Sequence, residues 1–480
     1  MKASRTLAFF ASVILLLMLM CLLFPSDGIT LGGRHFYFPS LHRVLVREKV
    51  RQMDELLVKA EERDLSNARD SIGDCYHLLF ESQTRVWLPN DDISYFDHFF
   101  ERAENARQDR KVIRILHYGD SQIEQDRISC QLRERMQLTF GGGGPGLLPL
   151  RQPIPTFSFT QNASGSLIGQ STYGDSSFHR AKGNYGPMLR SWRVAGQATM
   201  QLRASTNKSA SPLAGSFSNI RVVFNNRPGP LNVTITNRQP SEGSTTSSSH
   251  SVTESGIHLV GWQMDSLTSQ ASLTFSGSAD VYGIMVDDSY GVAVDNISMR
   301  GVSGHQFTMV NADQLAEAYK LMDIGIIIMQ FGGNSVPYLS TEKAIDHYCE
   351  GMGKQIDFVR QACPDAAILF IGPSDMSTKV GGQLATYPKL PYLVEQLRLM
   401  ANAHGAAYWS IYDAMGGKSS MISWVRNGYA GSDYIHFTLK GAHIMGDYLS
   451  DMLLKVYDLY KIRKQLTTEQ FTQLWKDVTQ

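Results

Sequence analysis

Four short stretches of this 480-residue chain place reactive or hydrogen-bonding residues where strand-like runs end or the last long helix is about to begin. They are Gly119-Asp120-Ser121, Gly301-Val302-Ser303-Gly304, Gly332-Gly333-Asn334 and Asp433-Tyr434-Ile435-His436. A serine hydroxyl is a weak nucleophile until a base takes its proton, and a histidine oriented by a carboxylate performs that task in acyl transfer. Backbone NH groups, best from glycine, and a carboxamide can stabilise the oxyanion that then develops. Each residue also has a plainer reading. Ser121 and Asn334 are good helix caps, His436 is one of 13 histidines, and Asp433 is an ordinary loop acid. Their joint occurrence favours the chemical reading, because an open parallel sheet binds its ligands at the carboxyl ends of its strands.

In this order the four stretches resemble the SGNH (GDSL-type) serine hydrolase superfamily, over residues 112–150 and 281–455. The resemblance implies Ser121 as nucleophile, His436 as general base and Asp433 as the carboxylate that orients it. It also implies an oxyanion hole made by the backbone NH groups of Ser121 and Gly304 and the side chain of Asn334, with Gly301 a neighbouring candidate in the same turn. Gln122 stands where the family's name-giving motif has leucine, and Asp120 and Gln122 are candidates for the pocket wall. His117 and Asp126 flank the nucleophile, and a structural role suits them at least as well.

The elements that must position these residues follow from periodicity. Val112 to Leu116 reads as a first strand, and strand-like runs at 291–295, 324–330, 367–371 and 406–411 alternate with helical stretches at 306–322, 341–361, 390–404 and 439–460. Such alternation predicts an α/β fold with a doubly wound parallel sheet flanked by helices, and the resemblance implies a flavodoxin-like strand order. Between its first and second strands, residues 151–280 are rich in Ser, Thr, Gly and Asn, with alternating runs such as Ile220 to Phe224. They predict an inserted all-β domain, which the family resemblance implies is a carbohydrate-binding-like sandwich. The Ser/Thr/Gly run 241–251 reads as an exposed loop between two of its strands. The core is thus expected in two pieces, 106–150 and 281–460, with 29–105 a helical spacer and 461–480 a C-terminal tail. The glycine run Gly141 to Gly146 reads as a helix stop and domain hinge, since it lacks the Lys-Ser/Thr of a phosphate loop. Asp287-Asp288 reads as a solvated turn, with calcium or substrate binding as its alternative.

Composition narrows the setting. Lys plus Arg and Asp plus Glu both number 45, so no net field draws the chain to nucleic acid, and no nucleic-acid partner is expected. Lys2 and Arg5 precede an apolar run from Leu7 to Phe24 that ends at Pro25. Residues 1–28 therefore read as an export signal, and the length favours an uncleaved signal-anchor over a removed signal peptide. Cys21 falls inside that segment. Cys75, Cys130, Cys349 and Cys363 fit no zinc spacing and read as buried or bridged thiols. Neither metal nor cofactor is expected.

The β-insert, in an exported protein, resembles the arrangement of peptidoglycan O-acetylesterases. The expected substrate is thus an acetylated polysaccharide, peptidoglycan first, met in the periplasm or cell envelope. The rivals are a lipase or lysophospholipase of the same superfamily, an O-acetyltransferase, and a catalytically silent glycan-binding protein. The intact set Ser121, Asp433, His436, Gly304 and Asn334 argues against the last.

Overall fold

A computed structural model describes residues 3–23, 29–31, 34–36, 63–179, 183–205, 207, 209–238 and 245–480. The chain divides into two units, 1–74 with 469–480, and 75–468. In the first, a helix runs from Ala3 to Leu23. Its segment Arg5–Leu23 is long and apolar enough to cross a membrane. Strands β1 (Ile29–Leu31) and β2 (Arg34–Phe36) pair as a short hairpin. Of the helical spacer expected over 29–105, residues 32–33 and 37–62 lie outside the described residues.

In the second unit the apolar run at Val112 extends as a fully buried strand, which is how a parallel strand covered on both faces should read. The strands are β3 (Val86–Trp87), β4 (Val112–Gly119), β5 (Gly146–Leu148), β6 (Phe159–Ser171), β7 (Arg190–Ala204), β8 (Phe217–Asn225) and β9 (Leu231–Arg238). There follow β10 (Thr245–Val252), β11 (Ile257–Thr268), β12 (Gln270–Asp287), β13 (Gly291–Ser298), β14 (Ile324–Gln330) and β15 (Ala367–Ile371). Last come β16 (Ser377–Val380), β17 (Gln383–Thr386) and β18 (Ala407–Trp409). The central sheet has the order β13-β4-β14-β15-β18-β3. Its first five members are parallel, and in chain order they read 2-1-3-4-5, the flavodoxin-like arrangement expected. Helices Ser129–Phe140, Ala312–Lys320, Glu342–Ala362, Leu390–Ala403 and Leu439–Gln465 connect or follow these strands.

Three expectations of secondary structure need correction. The sixth strand, β3, comes from the presumed spacer and pairs antiparallel with β18, so the sheet recruits chain well before residue 106. Two residues are too short for any periodic signal; what holds them is Trp87 packing on Tyr408, ring centroids 5.7 Å apart. Residues 245–252 form strand β10 on the edge of β9, rather than a loop. It shows no hydrophobic alternation because Ser and Thr stand on both its faces; Ser247 and Ser249 meet Thr236 and Thr234 hydroxyl to hydroxyl at 3.3 and 2.8 Å. Finally, the presumed tail is helical: one helix continues to Gln465, and another spans Thr468–Thr479.

The β-insert is antiparallel and is organised by the 18-residue strand β12. The first part of β12 pairs with β7 and β9, the last part with β8 and β5. The insert therefore reaches back to Gly146 and on to Asp287, past the boundaries expected from composition. Where it meets the parallel sheet, fully buried Arg114 of β4 donates to both carboxylate oxygens of Asp287 (2.7 and 3.2 Å) and of Asp295 (both 2.7 Å). Arg221 adds a bond of 3.1 Å to Asp287. Asp287 is thus a buried ion-pair partner and no solvated turn, while Asp288 accepts from Ser218 at 2.6 Å. The glycine run is pinned in the same junction. Gly144 (φ +80°) sits so close to the Val286 carbonyl that a side chain has no room, and Gly141 and Val292 share a backbone bond of 3.0 Å. This is a fixed crossing, not a hinge.

Candidate active site

Ser121 follows the end of β4, and Asn334 follows β14, so both stand at the carboxyl edge where the strand order reverses around β4. The loop 431–437 carries His436 to the same edge. That loop is fixed locally: Gly431 NH donates to His436 O (2.8 Å), Ser377 NH donates to Tyr434 O (3.2 Å), and Tyr434 takes a left-handed φ of 57°. Ser121 Oγ lies 2.8 Å from His436 Nε2, and His436 Nδ1 lies 2.7 Å from Asp433 Oδ2. Asp433 Oδ1 also accepts from the backbone NH groups of Ile435 (3.0 Å) and His436 (3.1 Å). Burial alone would raise the Asp433 carboxyl, but the His436 side chain and these NH groups hold it below the ordinary range. The chain thus brings together hydroxyl, imidazole and carboxylate in relay order.

Asp120 and Gln122 prove to be organisers. Buried Asp120 accepts from Gln122 NH (2.9 Å) and from Asn334 Nδ2 (3.0 Å), and burial pushes its carboxyl up to about 6. Gln122 Nε2 donates to Ile435 O (2.7 Å), and its Oε1 accepts from Phe437 NH (3.2 Å). The departure from leucine at this position therefore has a structural meaning. A carboxamide can both donate and accept, and here it grips the histidine loop on either side of His436.

The presumed oxyanion residues are gathered less completely. Asn334 Nδ2 donates to Val302 O (3.0 Å) as well as to Asp120, so both its hydrogens are engaged and the side chain ties the turn 301–304 to the serine turn. Gly304 has a φ of +103°, and an added Cβ would lie 2.7 Å from Met352 Cε and 2.9 Å from Phe331 Cγ. Gly304 is buried behind the cleft and does not line it, while Gly301 is exposed with open space around it.

Two hollows meet at Ser121 and His436. One, of about 120 Å³, is walled chiefly by Phe331, Pro373, Met376 and Ile435. The other, about 430 Å³ and open, is lined by Glu124, Gln125, Arg127 and Arg300. Sequence reasoning passed over this charged side. Arg127 donates to the carbonyls of Ser121 and Phe437, the latter at 3.0 Å, forming a second tie between the two loops. Arg300 forms a two-pronged pair with Glu124 at 2.7 and 2.6 Å. No motif marks these residues; their positions just after β4 and β13 were the available signal.

The other flanking candidates are structural. His117 is fully buried between Gln330 Oε1 (3.0 Å) and Ser129 Oγ (2.9 Å), and burial pushes it down to about 4, hence neutral. Asp126 pairs with Arg133 at 2.5 and 2.9 Å. Cys130, Cys349 and Cys363 are free thiols, and burial raises all three, the opposite of what a reactive cysteine needs.

Sheet order and site together define the fold of an SGNH hydrolase with an inserted β-domain. Among solved structures, the chain is similar to a peptidoglycan O-acetylesterase at 21% identity and a TM-score of 0.58, over 76% of this chain and 96% of that one. It is also similar to family two carbohydrate esterases from Cellvibrio japonicus (9% identity, 63% of this chain and 99% of that one, TM-score 0.25) and Clostridium thermocellum (11%, 60% and 98%, TM-score 0.23). No family model and no curated protein matches the chain.

Proposed function

We propose that this protein is an exported serine esterase that removes O-acetyl groups from a carbohydrate polymer, with peptidoglycan as the foremost substrate. The observation that carries this reading is the unbroken relay Ser121–His436–Asp433, at 2.8 and 2.7 Å, standing between a small apolar hollow and a larger polar cleft. His436 Nε2 takes the Ser121 proton as Oγ attacks the ester carbonyl, and Asp433 stabilises the imidazolium that forms. The oxyanion is met by the NH group of Ser121 and by Asn334, whose carboxamide turns from Asp120 or Val302 to reach it, while Gly304, behind the cleft, lets Phe331 and Met352 pack against the turn. Collapse breaks the ester bond, His436 returns its proton to the departing sugar hydroxyl, and water then hydrolyses the acetyl-enzyme by the same relay.

The small hollow supports a short acyl group. Its volume of about 120 Å³, bordered by Phe331, Pro373, Met376 and Ile435, suits acetate better than a long acyl chain. The polar cleft supports a hydroxylated leaving group. The apolar N-terminal helix supports export, with membrane attachment if it is retained. The test is acetate release by the full chain in detergent micelles from O-acetylated peptidoglycan and from acetylated xylan. The reading expects release from peptidoglycan that Ser121→Ala abolishes. Hydrolysis confined to long-chain esters would overturn it.

A further inference from the structure

A groove of about 740 Å³, larger than either hollow at Ser121, lies across residues 414–429 and the first turns of the helix Leu439–Gln465. None of its lining residues belongs to the catalytic cleft. It shares the histidine loop with that cleft, however. The loop closes through a bridge between Ala430 and Phe437 and a bond of 3.0 Å from Thr438 NH to Tyr429 O. Tyr429 thus lines the groove on one side of the loop and His436 the catalytic cleft on the other.

The lining is amphipathic in a particular way. The Trp424 indole is held by a 3.0 Å bond from Nε1 to Met415 O, and its ring packs against Tyr429 and Phe437 at centroid distances of 5.5 and 5.3 Å. Tyr448 presents its ring at 38% exposure on the adjoining helix. Around these rings stand Asn427, Lys418 and Asp447. Asp447 is half-buried and makes no hydrogen bond or ion pair among the described residues; burial, with Asp451 nearby, raises its carboxyl despite Arg135 and His443. Trp424 and Tyr429, the latter under Lys440 Nζ at 4.8 Å, form the floor, and the exposed Tyr448 ring beside an unpartnered carboxylate, a carboxamide and an ammonium group matches pyranose rings, which offer CH faces and hydroxyl edges together.

We propose that this groove is a second glycan-binding site, which holds an unmodified stretch of the polymer while an acetylated residue reacts at Ser121. The proposal rests on the carbohydrate reading above and assigns that substrate a second contact. A strand that fills both sites makes two contacts at once and is retained longer than a short ester.

The experiment titrates the N-acetylglucosamine hexaose into the full chain in detergent micelles by calorimetry. It uses a Ser121→Ala background and compares Tyr448→Ala, Tyr448→Phe and Asp447→Asn. The expected result is about tenfold weaker binding for Tyr448→Ala and near-normal binding for Tyr448→Phe, which keeps the ring. Asp447→Asn should weaken binding about threefold. Equal affinity for all the variants, or no heat of binding with any of them, overturns the second site. Hydrolysis of p-nitrophenyl acetate by the Ser121-intact chain is measured beside it. Its absence would remove the esterase reading while leaving a Tyr448-dependent glycan affinity standing, so the two claims fail separately.

Discussion

The Gln122 carboxamide brackets His436, donating to the carbonyl of the residue before it at 2.7 Å and accepting from the NH of the residue after it at 3.2 Å. The nucleophile and its base lie 315 positions apart in the chain, and this side chain, one position beyond Ser121, helps to fix the distance between them, with Arg127 as the second tie.

Replacing Gln122 by leucine keeps the volume but removes both bonds. The expected effect is a fall in kcat of roughly 10- to 100-fold with KM changed less than about threefold, because misplacing a base by a fraction of an ångström acts on the reaction step. Steady-state kinetics on p-nitrophenyl acetate check it. A change confined to KM would mean that Gln122 only shapes the pocket.

The small hollow should set acyl-chain preference. Ile435 is partly exposed and forms one wall, so Ile435→Ala enlarges the space without emptying the core. The ratio of butyrate to acetate turnover should rise by about tenfold, in keeping with one or two methylenes admitted to an apolar site. An unchanged ratio would place the acyl group elsewhere.

Asp120 makes a prediction in pH. Its carboxyl is raised from 3.8 to about 6 by burial, so the charged form is disfavoured in the folded protein. The contribution of this group to stability is therefore complete below its ordinary value and is lost as pH rises through about 6. The Tm of Asp120→Asn, relative to the wild type, should climb between about pH 4 and about pH 7.5, since asparagine carries no charge to bury. A constant difference would show that Asp120 does not titrate in this range.

Arg114 joins the β-insert to the parallel sheet through Asp287 and Asp295, all three buried. Arg114→Met leaves two carboxylates without their main partner, at a cost of about 3–5 kcal/mol. Thermal unfolding should show a correspondingly lower Tm. A loss under about 1 kcal/mol would mean that Arg221 and the backbone suffice.

Much of this is legible in the residues alone, for identifiable reasons. Strands β4, β14 and β15 are buried on both faces and so appear as apolar runs, and those runs mark where the motif residues at their ends must stand. What escapes is what lacks a periodic signal. Strand β3 is two residues held by a partner far along the chain, and β10 is a polar edge strand. Asp287 reads as half of a surface pair because the arginine that buries it lies 173 positions away. The same holds within the site. Ser121, Asp433 and His436 announce themselves by type and order, whereas Arg127 acts through its distance to two backbone carbonyls, and no sequence pattern encodes that.

The central claim is that Ser121 carries the reaction with His436 as its base. It is tested most directly by p-nitrophenyl acetate hydrolysis with the full chain in detergent, comparing the wild type with Ser121→Ala and His436→Ala. The account predicts turnover by the wild type and a loss of roughly 1,000-fold or more in each variant, since members of such a relay act as a unit. Equal rates for wild type and Ser121→Ala would contradict it.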